Sequence, residues 1–125
     1  MTDRSSLVLA LTTEGDQDSA EALAETLLKR RLVACVSLQP QRSLYRWRGH
    51  LERESEVQML LKTSAAGLEL LRETVMDLHS YDTPEWLTWS VEASGAYGAW
   101  TLAQLSSDGL WPAPAGTPGD EPPAG

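Results

Sequence analysis

The sequence predicts an α+β fold built on a four-stranded antiparallel sheet, and three observations carry that prediction. Apolar runs of strand length alternate with two segments of helical period, a long charged hairpin joins the second and third runs, and the pattern ends in a stretch rich in proline and glycine. A chain of 125 residues is one domain long and buries enough surface to need neither disulfide nor structural metal.

Residues 5–13, SSLVLALTT, form an apolar run bounded by polar residues and then by Gly15, the pattern of a buried strand. The period then changes. Ala20, Leu23, Ala24, Leu27 and Leu28 share one helical face, Asp18 and Glu21 have capping-box spacing, and Lys29, Arg30 and Arg31 suit the negative end of a helix dipole. A helix over about 17–31 follows. LVACVSL, residues 32–38, is β-branched and apolar and reads as a second buried strand, interrupted at Pro40.

SLYRWRGHLERESEVQMLLKT, residues 43–63, has two extended arms around Gly49 and His50, a pair that suits a type II′ turn. Tyr45 and Trp47 share one strand face at period two. Arms of this length outrun the core of a small domain, so the tip is either solvated by its charges or laid against another subunit. Leu68, Leu71, Val75 and Leu78 predict a second helix over about 65–79, with Ser64 as N-cap. In EWLTWSVE, residues 85–92, Leu87, Trp89 and Val91 alternate with Trp86, Thr88 and Ser90, which makes a fourth strand. Ser94 opens a last helix carrying Tyr97 and Trp100. The order is the βαββαβ sandwich of the ferredoxin-like class with an extra C-terminal helix, in one domain over residues 1–106. The Pro- and Gly-rich tail, 107–125, is expected to be disordered.

Ten Lys and Arg against eighteen Asp and Glu give a formal charge of −8, which repels phosphate backbones and anionic membranes and favours cations near the surface. Neither a nucleic acid nor a membrane is expected as partner. The single cysteine, Cys35, excludes an intramolecular disulfide, and the apolar run 7–11 is too short for a signal-peptide core or a membrane span, so a cytoplasmic setting is expected. Five tryptophans and no phenylalanine leave aromatic anchoring to indoles and three tyrosines.

His79, in LHSYDTPEW (residues 78–86), is the first candidate for chemistry. It either ends the second helix, its protonated ring near the last carbonyls, or offers a neutral nitrogen to a soft or borderline cation with Asp82 and Glu85 nearby in sequence. Cys35 is a small buried hydrophobe or, close to His79 across the fold, half of a soft metal site that favours copper(I). Glu14, Asp16, Asp18 and Glu21 crowd a helix start, where carboxylates offset the dipole; their spacing is not that of an EF-hand. No phosphate loop, zinc spacing or nucleophile signature occurs, so neither catalytic residues nor an organic cofactor are expected.

LVACVSL, SLYRWRGHLERESEVQMLLKT and LHSYDTPEW, in this order and spacing, resemble the CutA divalent-cation-tolerance family from about residue 7 to 105. The resemblance implies a tight homotrimer in which long hairpins extend neighbouring sheets, and a role in tolerance of copper and other divalent cations. By motif position it carries copper ligation to Cys35 and His79. A further family cysteine appears here as Leu11, which cannot coordinate, and Ser80 and Ser90 stand where prolines are common. The leading expectation is a non-enzymatic trimer binding copper or another divalent cation through His79, Cys35 and Glu85 at subunit clefts. Two alternatives stand beside it: a PII-like signalling or interaction module taking a small metabolite or partner in those clefts, and an enzyme using His79 as acid or base.

Overall fold

The computed structural model describes residues 4–105; the expected tail, 107–125, lies outside them. The elements are β1 (Arg4–Glu14), α1 (Gln17–Lys29), β2 (Cys35–Trp47), β3 (His50–Thr63), a 3-10 turn (Ala65–Gly67), α2 (Leu68–Leu78), β4 (Leu87–Ser94) and α3 (Gly95–Gln104). They form one antiparallel sheet of order β2-β3-β1-β4, the ferredoxin-like arrangement that the sequence predicts.

Strand alternation decides what each face buries. Ala10 on β1 and Val57, Met59 and Leu61 on β3 meet Ala20, Leu23, Ala24 and Leu27 of α1 and Leu71 and Val75 of α2 in a single core. Burying each such leucine contributes roughly 1.5–3 kcal/mol, so a one-residue slip of β3 against β1 would turn the whole set outward. α3 takes the opposite face. Lys62, pointing away from that core by alternation with Leu61 and Thr63, donates to the Tyr97 hydroxyl at 3.0 Å.

Several boundaries differ from the sequence reading, each for a local reason. The N-cap of α1 is Asp16 rather than Asp18: its backbone is extended and its carboxylate accepts from the Ser19 amide at 2.7 Å. The helix ends at Lys29 because Arg31 adopts a left-handed φ of 57°, and Leu32 N–H to Leu27 O with Arg31 N–H to Leu28 O close a Schellman cap. The Arg31 guanidinium then caps α3, donating to Gln104 O at 2.7 Å and to Ala103 O. Residues 32–34 form a buried bend, so β2 begins only at Cys35. β2 runs unbroken through Pro40, which pairs with Val57; an edge strand tolerates the missing amide donor. Neither Ser64 nor Ser94 makes a side-chain capping bond.

The hairpin turn sits one residue earlier than expected. Trp47 faces His50 across the ladder, and Arg48 and Gly49, with φ of 50° and 81°, are the two central residues. Two consecutive positive φ values belong to type I′, not type II′. β1 stops pairing at Glu14, opposite Val57, so residues 41–47 and 50–56 pair only with each other and extend about 20 Å beyond the sheet at ~3.3 Å per residue. Alternation gives this ribbon two unlike faces. One carries Arg42, Leu44, Arg46, Leu51 and Arg53, and the other Tyr45, Trp47, Glu52, Glu54 and Glu56. Desolvation, and then the charges of Glu54, Glu56 and Glu52, raise the Tyr45 phenol pKa, as the shared face requires.

Because a Cβ at Gly49 would meet no atom within 4 Å, the cost of Gly49→Ala is conformational alone. Urea denaturation is expected to show Gly49→Ala destabilising by about 1 kcal/mol and Arg48→Gly leaving stability equal or higher, since a left-handed non-glycine residue costs ~1–2 kcal/mol. Equal losses in both variants would argue against the turn type.

Candidate functional site

Where β1 ends, Glu14, His79, Ser80, Tyr81 and Glu56 converge, with Thr13 and Glu85 beside them. Even-numbered β1 residues face the helices, and this register carries Glu14 inward behind Val8, Ala10 and Thr12; it is 2 % exposed. A carboxylate this deep must be hydrogen-bonded. Its Oε1 accepts from the Gly15 amide at 3.1 Å and from the Ser80 hydroxyl, and its Oε2 accepts from the Ser80 amide at 3.1 Å.

The Ser80 bonds draw in the loop that follows α2. His79 is the C-cap of that helix, with φ −67° and ψ 146° and its amide donating to Val75 O, so the helix-ending role read from the sequence holds. Its imidazole does something else. Nδ1 accepts from the Tyr81 amide at 3.0 Å and lies 3.6 Å from Glu14 Oε2. An accepting Nδ1 places the ring proton on Nε2, the tautomer of a neutral imidazole. Nε2 is buried without a hydrogen-bond partner, as is the hydroxyl of Thr12.

Tyr81 fastens the loop to the ribbon. Its hydroxyl donates to Glu56 Oε2 at 2.7 Å, and its ring lies 5.1 Å from that of His79. The Tyr81 ring also packs over Gly15, where a Cβ would approach it to 3.4 Å. Burial, and then the bond to Glu56 and the charges of Glu56 and Glu14, push the Tyr81 phenol well above the ordinary tyrosine range. Glu85 reaches the same end of β1 from β4's side, accepting from Thr13 Oγ1 at 2.7 Å.

Of the three residues expected to hold a metal, His79 and Glu85 therefore meet the end of β1, through Glu14 and Thr13. Cys35 lies elsewhere. It is half-buried, pairs with Lys62 opposite Leu9, and points to the face away from α1 and α2. From Leu9 to Glu14 is on the order of 17 Å along the strand. Among the described residues of one chain, no group of three His, Cys, Asp or Glu side chains is arranged to hold a metal ion. Glu14, Ser80, Tyr81 and Glu56 were not singled out by sequence spacing. Glu14 was grouped with the carboxylates at the helix start, although its place in the inward register of β1 was available as a signal.

Residues 8–104, from within β1 to the end of α3, match the CutA1 divalent ion tolerance protein family. The chain belongs to that family. The divalent-cation tolerance protein CutA of Pectobacterium atrosepticum is 44 % identical over 100 residues, 78 % of this chain and 91 % of that one. CutA from Synechococcus elongatus superposes with a TM-score of 0.79 at 38 % identity, covering 81 % of this chain and 91 % of that chain. A protein of Archaeoglobus fulgidus described as a periplasmic divalent cation tolerance protein gives 0.74 at 28 % identity, covering 76 % and 94 %. No helix among the described residues is long and apolar enough to cross a membrane.

The raised Tyr81 pKa has a definite sign. The folded phenol holds its proton more tightly than the unfolded one, so its contribution is complete below about pH 10 and is lost as the pH rises toward the higher folded value. Stability measured in urea from about pH 8 to 11 is expected to fall in the parent protein and to fall less steeply in Tyr81→Phe. Parallel profiles would remove the assignment.

Proposed function

We propose that this CutA-family chain works as a homotrimer that binds copper or another divalent cation and thereby serves cation tolerance, as a binding protein rather than an enzyme. Its metal donors would be His79, with Cys35 and Glu85; ligation through Nε2 would require the ring proton to move to Nδ1, which lies 3.6 Å from Glu14 Oε2. Because Cys35 lies far from His79 within one subunit, a site using both must be assembled between subunits. The observation that carries the reading is the buried, unpartnered Nε2 of His79 beside a carboxylate-rich loop, within a family named for divalent-cation tolerance. Neutral imidazole is a common ligand for zinc and copper, and a thiolate draws softer ions.

The case for a trimer rests on unsatisfied surface. Leu44 and Leu51 are each 58 % exposed on one face of the ribbon and Trp47 53 % on the other, while β4 exposes Leu87 and Trp89 beside a free strand edge. Apolar area of this kind next to open edges favours pairing with further copies, and a head-to-tail contact closes into a ring. A cytoplasmic location fits a chain whose single cysteine forms no disulfide.

Titration of the purified protein with copper and with zinc tests the metal role. His79→Ala and Cys35→Ser are each expected to weaken affinity at least about tenfold, and Glu85→Gln less, in line with the loss of a direct donor. Affinity unchanged in all three variants would sink the site. Light scattering on size-exclusion peaks should give three chain masses, unchanged by a chelator and reduced by Trp47→Ala together with Trp89→Ala. A mass independent of both tryptophans would contradict the interface.

A further inference from the structure

We propose that Glu14 is the positioning residue for His79, selecting the tautomer of the imidazole and holding the ring enclosed. Glu14 sits on β1 and His79 after α2, and no step of the metal reading uses the carboxylate as a ligand. Its action runs through Ser80. Both donors of Ser80, amide and hydroxyl, end on Glu14, although Ser80 itself is exposed. The next amide along the chain, that of Tyr81, is the one that occupies His79 Nδ1. Glu14 thus fixes the peptide unit that presents the Tyr81 N–H to Nδ1, and so keeps the ring proton on Nε2 in the metal-free chain. Gly15 donates to the same carboxylate, so the anchor is tied to the end of β1.

A second observation separates this role from general support of the fold. His79 has φ −67° and ψ 146°, the extended backbone that a residue before proline adopts. A proline at position 80 would therefore suit the His79 backbone and stiffen the loop covalently, but it would remove an amide donor from a buried carboxylate. Removing the carboxylate and the amide donor together therefore leaves neither side unmatched, whereas either change alone does. Leaving a buried charge short of donors, or two donors short of an acceptor, is the costly outcome.

The test uses the metal-free full chain and its two histidines. His50, exposed at the hairpin tip, serves as internal control for carbethoxylation by diethylpyrocarbonate, read residue by residue by peptide mass spectrometry. Glu14→Ala is expected to speed modification of His79 about tenfold, the effect of losing one strong hydrogen-bonded anchor, with His50 unchanged. Ser80→Ala, which removes the hydroxyl donor alone, should give a few-fold rise. Glu14→Ala combined with Ser80→Pro should return His79 to within about twofold of the parent rate. The proposal is overturned by a folded Glu14→Ala whose His79 reacts no faster than the parent's, or by a double variant that merely sums the single effects. Should Glu14→Ala not fold, an unchanged rate in Ser80→Ala overturns it. The inference rests on the metal reading for its purpose alone: copper affinity should fall about tenfold in Glu14→Ala, which removes the acceptor beside Nδ1. A parent protein that binds no copper ends the metal reading, while the modification rates still decide the role of Glu14.

Discussion

The buried carboxylate of Glu14 is the constraint around which this end of the molecule is organised. A carboxylate at that depth is tolerable only when its oxygens are occupied by donors, and the nearest donors belong to the strand terminus and to the loop after α2. Satisfying it joins two segments 66 residues apart in the chain. The same loop then reaches the ribbon through Tyr81 and Glu56. β1, the end of α2 and the base of the hairpin are thereby held in one arrangement, with His79 at its centre.

The other end of the sheet follows different rules. There Arg31 turns the chain after α1 and caps α3, Lys62 meets Tyr97, and Cys35 opens β2 in a half-buried position. Nothing within one subunit connects the thiol to the imidazole, since they occupy opposite faces and opposite ends of the strands. The ribbon offers a physical route between such distant ends. It projects past the sheet with aromatic and leucine side chains uncovered, which is the surface that the proposed assembly would use.

How much of this was readable beforehand depended on the kind of signal. The helical face of Leu23, Leu27 and their neighbours gave a correct element because burial imposes the period directly, while residues 85–92 gave a strand by alternation although Leu87 and Trp89 are exposed in the single chain. The turn at Arg48 and Gly49 escaped because arginine seldom takes a positive φ, so local preference favoured the pair that follows. Pro40 looked like a break because strand order, which makes β2 an edge, is a tertiary property. The site was half legible: His79 stood out by residue type, whereas Glu14 was taken for one more acid at a helix start. Its inward register on β1 and the 66-residue separation from Ser80 belong to the folded chain alone.

The hydrogen bonding around His79 is that of a neutral ring with Nδ1 occupied by the Tyr81 amide and Nε2 carrying the proton. Nitrogen-15 NMR of the His79 ring in the metal-free protein at about pH 8, where imidazole is ordinarily neutral, tests this most directly. The account predicts a non-protonated Nδ1 and a protonated Nε2 in one dominant tautomer. A proton on Nδ1, or two tautomers in rapid exchange, would contradict it.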